Sequence, residues 1–152
     1  MGLRGDAAGI EGLPLQLLIV AVVAGITAPV VYAGLASYDR GQVESRVRGE
    51  ILRLTRAAQQ YLIAGGGAET LALDLQGGTF TSVLYVTVGD AAGSPLASTV
   101  RYRLSGDTEE TILVERPSVP MAGPDGKALS LVAGLYRVHL EVLEDRIVVS
   151  VA

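Results

Sequence analysis

Any chemistry in this chain has to come from a small set of side chains. His139 is the only imidazole. It lies in the alternating run LYRVHLEVL, on the same side as Arg137 and Glu141, and so reads as a solvated strand residue. A serine nucleophile needs a base within hydrogen-bond reach. Ser82, Ser94 and Ser130 are candidates by type, but none lies in a G-x-S-x-G turn. Asp107, Glu109 and Glu110 gather enough negative charge to attract calcium. They lack the spaced oxygen ligands of a dedicated site and read as a hairpin tip. Gly65, Gly66 and Gly67 follow a helical pattern and precede no Lys-Ser/Thr pair, so they are a helix stop or hinge and not a phosphate loop. The chain has no cysteine. That excludes a disulfide scaffold, a thiol nucleophile and cysteine-ligated metal. A single histidine also excludes a histidine metal cluster within one chain. The expectation is therefore a protein without catalytic, cofactor-binding or metal residues, and not an enzyme.

The composition points elsewhere. Of the 152 residues, 49% are hydrophobic and 18% charged, with a mean hydropathy of +0.42. That is high for an ordinary globule of one domain plus an appendage. The net charge of −4 offers no basic surface for nucleic acid, and no nucleic-acid partner is expected. Eleven of the twelve basic residues are Arg, which either base composition or heat adaptation would produce. No Asn is present, so no N-glycosylation acceptor exists.

Three zones stand behind these numbers. Between Glu11 and Asp39 lie 27 residues without a charge. A helix needs about 20 apolar residues to cross a hydrocarbon core, so this run suffices. Pro14 sits near its start, where the missing N–H is tolerated; Gly25 and Pro29 fall in its middle, where a kink suits a membrane or packed helix. Over residues 39–64, Val43, Val47, Ile51, Leu54, Ala58, Tyr61 and Leu62 recur with helical periodicity, and Arg40, Arg46, Arg48, Arg53 and Arg56 occupy much of the rest. One helix from about residue 14 to residue 64, roughly 75 Å long, is the expectation. Residues 68–152 carry eleven acids against six bases and read as short strands. The expected strands are 70–75, 79–88, 98–104, 110–116, 129–132, 135–143 and 146–151, separated by turn signals such as Gly77-Gly78 and Glu144-Asp145. Val100, Tyr102 and Leu104 share one face against Arg101 and Arg103; Val138, Leu140 and Val142 oppose Arg137, His139 and Glu141. The expected class is α+β: a long helix, transmembrane and then amphipathic, followed by a small antiparallel β-sandwich.

The N-terminus, MGLRG followed by DAAGIEGLPLQLLIVAVVAGITAPVVYAGL, resembles the class III signal and first helix of type IV pilin-like proteins, the archaeal pilins and archaellins in particular. The family pattern is a short charged leader ending in Lys/Arg-Gly or Ala, with the apolar stretch after the cut. The resemblance covers about residues 1–64 and agrees with the β-rich remainder in layout. It implies cleavage by a prepilin-type signal peptidase at Arg4-Gly5-Asp6; a cut after Gly9 is the alternative. It divides the chain into a leader (1–5), a membrane or filament-core helix (6–38), an amphipathic extension with a glycine hinge (39–67) and a β head (68–152). It also implies that the helix leaves lipid to bundle with identical or related subunits in a helical homopolymer. Ala21, Ala24, Gly25 and Ala28, with Pro29, are then the assembly residues, since small side chains let helices approach. Glu11 matches an early Glu that compensates the terminal amine of a neighbouring subunit, although it is the sixth residue after the proposed cut where bacterial members commonly place the fifth; the other reading puts it in the headgroup region. The mature form is expected in an extracellular filament, reached from a membrane-inserted precursor with its head outside the cytoplasm.

Other readings remain at this point. Val31-Tyr32-Ala33 resembles a secretory cleavage site, but the n-region holds one Arg and two acids and the apolar core is long. A monomeric single-pass anchor carrying a binding or accessory β domain of a surface machine is the main rival. Arg4 alone faces Arg40, Arg46, Arg48 and Arg53 across the apolar run, which by the positive-inside tendency puts the β zone in the cytoplasm. The exported charged helix of the resembled family sets that aside.

Overall fold

The computed structural model describes the backbone of residues 7–152 and the side chains of residues 14–152. One helix, α1 (Ala7–Ala64), precedes eight strands: β1 (Ala68–Asp74), β2 (Val83–Val88), β3 (Thr99–Leu104), β4 (Glu110–Leu113), β5 (Met121–Ala122), β6 (Leu129–Leu131), β7 (Leu135–Leu143) and β8 (Arg146–Val151). The chain divides into two compact units, one ending at Tyr38 and the other Asp39–Ala152. The class is α+β.

Among the described residues, the first unit is helix alone. α1 starts about seven residues before the expected point, which makes Pro14 an interior residue. The fixed φ of proline is itself helical, so the helix loses one hydrogen bond there without having to end. Pro29 likewise lacks the N–H that the Gly25 carbonyl would accept.

The second unit is built around the other half of α1. Val43, Val47, Ile51, Leu54 and Ala58 are at most 2% exposed and form one core cluster with Leu73, Val86, Tyr102, Val138, Leu140, Ile147 and their neighbours. The amphipathic stripe is thus buried against the strands. The helix ends where the glycines were expected to stop it. Gly65 adopts φ 73°, its N–H donates to the Leu62 carbonyl (3.2 Å), and the Gly66 N–H reaches back to the Tyr61 carbonyl (3.3 Å). This paired closure needs a left-handed residue at that position, which glycine adopts without a Cβ clash.

Two four-stranded sheets follow, in the orders β1-β7-β8-β5 and β4-β3-β2-β6. All pairs are antiparallel except β5–β8, which is parallel. The expectation of purely antiparallel strands is thus corrected by a two-residue strand whose length leaves no alternation to read. β2 begins at Val83 and not at residue 79, because the N–H groups of Thr79, Phe80 and Thr81 are taken by a side chain of α1. β4 stops at Leu113; beyond it, Gln59 donates to the carbonyls of Glu115 (3.1 Å) and Pro117 (3.3 Å), tying this stretch to the helix. The inward faces of β3 and β7 are as expected: Val100, Tyr102, Leu104, Val138 and Leu140 are buried.

Candidate functional site: the apolar helix and the clamp at its base

The most distinctive surface is the side of α1 between Pro14 and Tyr38. Leu17, Ile26 and Val30 are each 65–67% exposed, and Leu15, Leu18, Val20, Val23, Val31 and Leu35 are exposed as well. By length and composition this helix can cross a membrane. Ala21, Ala24, Gly25 and Ala28 follow one another at steps of three, one and three, so the helix gathers them on one face. A Cβ at Gly25 or at Gly34 would meet nothing within 4 Å among the described residues. Pro29 lies beside the same face. Arg4, Gly5 and Asp6 lie outside the described residues. Glu11 falls within α1, and its side chain also lies outside them.

Where the uncharged run ends, the chain places an anchor that its sequence did not advertise. Asp39 accepts three consecutive backbone N–H groups: Thr79 at 2.9 Å, Phe80 at 3.0 Å and Thr81 at 2.9 Å. The Thr79 N–H, followed by the other two and the Thr81 hydroxyl, stabilises the carboxylate and holds its pKa below the ordinary value, against a smaller opposing effect of desolvation. Gly78 makes this approach feasible: a Cβ there would stand 2.3 to 2.5 Å from the Asp39 carboxyl atoms. Beside it, Arg40 pairs with Asp107 in the β3–β4 turn. The helix is fastened further along by Arg46 to Asp74 (3.6 Å) and by Arg53, which donates to the Ala72 carbonyl on the edge strand β1. No local signal marks Asp39 in the sequence, because its partners are backbone groups 40 residues away.

The residues with chemical potential are dispersed. His139 lies on β7, its Nδ1 3.1 Å from the hydroxyl of Thr70, its register partner on β1. Ser130 is on β6 of the other sheet, Ser82 just precedes β2, and the Ser94 hydroxyl donates to Asp90 (2.8 Å) in the β2–β3 connection. That hydroxyl, with the Ala91 N–H, lowers the Asp90 pKa. The fold therefore leaves these serines away from the imidazole. The acidic group is less idle than a solvated tip. Asp107 pairs with Arg40, Glu109 accepts from the Tyr85 hydroxyl (2.6 Å), and Glu110 accepts from the Tyr102 hydroxyl. The phenol of Tyr85 is pushed up by its bond to Glu109, and that of Tyr102 chiefly by burial and then by Glu110. Among the described residues, no group of three or more His, Asp or Glu is arranged to hold a metal ion. The recesses along the helix are shallow grooves on either side of Arg53, each near 450 Å³. Of the proposed hinge, Gly65 and Gly66 form the helix stop; Gly67 lies against the Tyr61 ring, and its carbonyl accepts from Val142 (3.2 Å).

Comparison with known protein families, with curated proteins and with solved structures finds no match to this chain.

Proposed function

We propose that this chain is a pilin-like structural subunit that polymerises through its apolar helix into an extracellular filament. The supporting observation is the contrast between the two halves of α1. The stretch from Asp39 onward buries its apolar stripe in the head, whereas the stretch before it exposes large apolar side chains on every face, with no cover among the described residues. Such a surface needs lipid or other helices around it. A helix apolar all round exchanges lipid for identical neighbours with little change in solvation. The face of Ala21, Ala24, Gly25 and Ala28 allows close approach, and a repeated contact that does not close on itself produces a fibre. The two sheets are read as a sandwich-like head clasping the amphipathic stretch, carried on the outside of the filament, and the protein has no catalytic role in this reading. A prepilin-type peptidase cutting at Arg4-Gly5-Asp6 releases the helix for assembly, and Glu11 then lies near the new terminus.

Shearing cells tests this directly. The chain should be recovered in quantity in the sheared, sedimentable fraction, and Ala24→Arg should abolish that recovery by placing an unpartnered charge in the helix bundle. A monomeric membrane anchor would instead stay with the cell membranes, whichever residue occupies position 24.

A further inference from the structure

Alternation in the sheet β4-β3-β2-β6 sends Val86, Val88, Val100 and Tyr102 into the core, so the residues between them face the other way. The register then sets four of those side chains in one row. Thr111 on β4 stands opposite Arg101 on β3, Arg101 opposite Thr87 on β2, and Thr87 opposite Ser130 on β6. Each strand of the sheet gives one residue, for three hydroxyls and one guanidinium. At about 4.8 Å between strands, the row spans roughly 14 Å. Thr111 and Ser130 are exposed, while Arg101 and Thr87 are half-buried. The flanking rows hold Tyr85 with Arg103, and Thr99 with Leu113.

Arg101 is the unsatisfied member of this row. Its Nε is buried and has no hydrogen-bond acceptor among the described residues. Asp90 feels its charge, but the Asp90 carboxylate accepts from the Ser94 hydroxyl and the Ala91 N–H, both at 2.8 Å. Glu109 accepts from the Tyr85 hydroxyl (2.6 Å), and Arg103 donates to the Asp107 carbonyl (3.0 Å). A partly desolvated guanidinium without an acceptor gains most from an oxyanion, which takes charge-assisted N–H bonds from its planar fork. The rest of the row indicates what carries that oxyanion. Thr and Ser hydroxyls both donate and accept, so they match other hydroxyls better than apolar groups. The Thr87 hydroxyl donates to that of Ser130 (3.5 Å), which leaves the Ser130 proton for a ligand. A lone inorganic anion would cover only the Arg101 position of so long a row. β2 and β3 are interior strands, so this part of the face has no open backbone edge on which a peptide could add as a strand.

We propose that this row binds an acidic saccharide. A sugar carboxylate seats on Arg101, and the ligand's hydroxyls lie along Thr111, Thr87 and Ser130. The site lies wholly within the unit Asp39–Ala152 and does not depend on the filament reading. Isothermal titration calorimetry of the full chain, in a nonionic detergent without sugar headgroups, tests it with tetragalacturonate as the probe. Saturable binding is expected, with none for neutral maltotetraose. Arg101→Met should weaken the affinity by about tenfold or more, the loss of a charge-assisted contact. Thr111→Val, at an exposed position on the edge strand β4, should weaken it severalfold with the melting temperature unchanged. It also supplies the readout should Arg101→Met fail to fold. Absence of binding, or affinities in the folded variants equal to that of the unaltered chain, would refute the site. Sulfate or tetraglutamate bound as tightly as tetragalacturonate would show that charge alone is read, and would overturn the saccharide assignment.

Discussion

A single carboxylate closes the base of the head. Asp39 collects three consecutive N–H groups from a loop 40 residues away, and the loop can approach only because position 78 lacks a side chain. Gly78→Ala should therefore lower the thermal midpoint of the head, since the Asp39 carboxylate must give up its donors to admit a Cβ. In an Asp39→Ala background the same change should cost much less, and the double-mutant cycle of melting curves reads that coupling. Additive effects would mean that the two residues act separately. The clamp also has a pH signature. Asp39 is held below the ordinary carboxyl pKa of 3.8, so its contribution is complete above that value and is lost as pH falls through the lower folded-state value. Asp39→Asn should accordingly flatten the acid side of the stability profile. An unchanged profile would place the acid sensitivity in other carboxylates. The neighbouring Arg40–Asp107 pair is half exposed on the Arg side and contributes little by comparison.

At the scale of elements, α1 is one helix with two environments. Ile51 is 2% exposed within the core and Leu18 is 60% exposed in the other unit. Ile51→Ala should cost about 2–5 kcal/mol of head stability, while Leu18→Ala should leave head stability within about 0.5 kcal/mol, both read by denaturant unfolding in detergent. Gly65→Ala should cost about 1–2 kcal/mol, because the helix stop needs φ near 73° at that residue. Much of this organisation was legible in the sequence, for physical reasons. Positions 43 to 62 follow a 3.6-residue period because one face is buried, and β3 and β7 alternate because each has one wet side. Other features left no local trace. Residues 79–81 look like strand, but their hydrogen bonds go to Asp39, a partner chosen by tertiary structure. β5 is too short for any period, and its parallel pairing with β8 depends on a crossing that only the folded chain defines. The engagement of Asp107, Glu109 and Glu110 was equally hidden, since Arg40, Tyr85 and Tyr102 belong to other elements.

For the molecule as a whole, the decisive feature is an apolar helix whose large side chains are uncovered among the described residues. In the proposed filament, each subunit covers its neighbours' helices and the heads follow outward. The small-residue face was visible in the sequence as Ala21, Ala24, Gly25 and Ala28; what packs on it lies beyond a single chain. The most direct test is the intact mass of this protein recovered from the sheared cell-surface fraction. Abundant recovery is expected at the mass of a chain that begins at Asp6 and retains its apolar helix. Absence from that fraction, with the full-length mass held in membranes, or a chain beginning near Gly34, would contradict it.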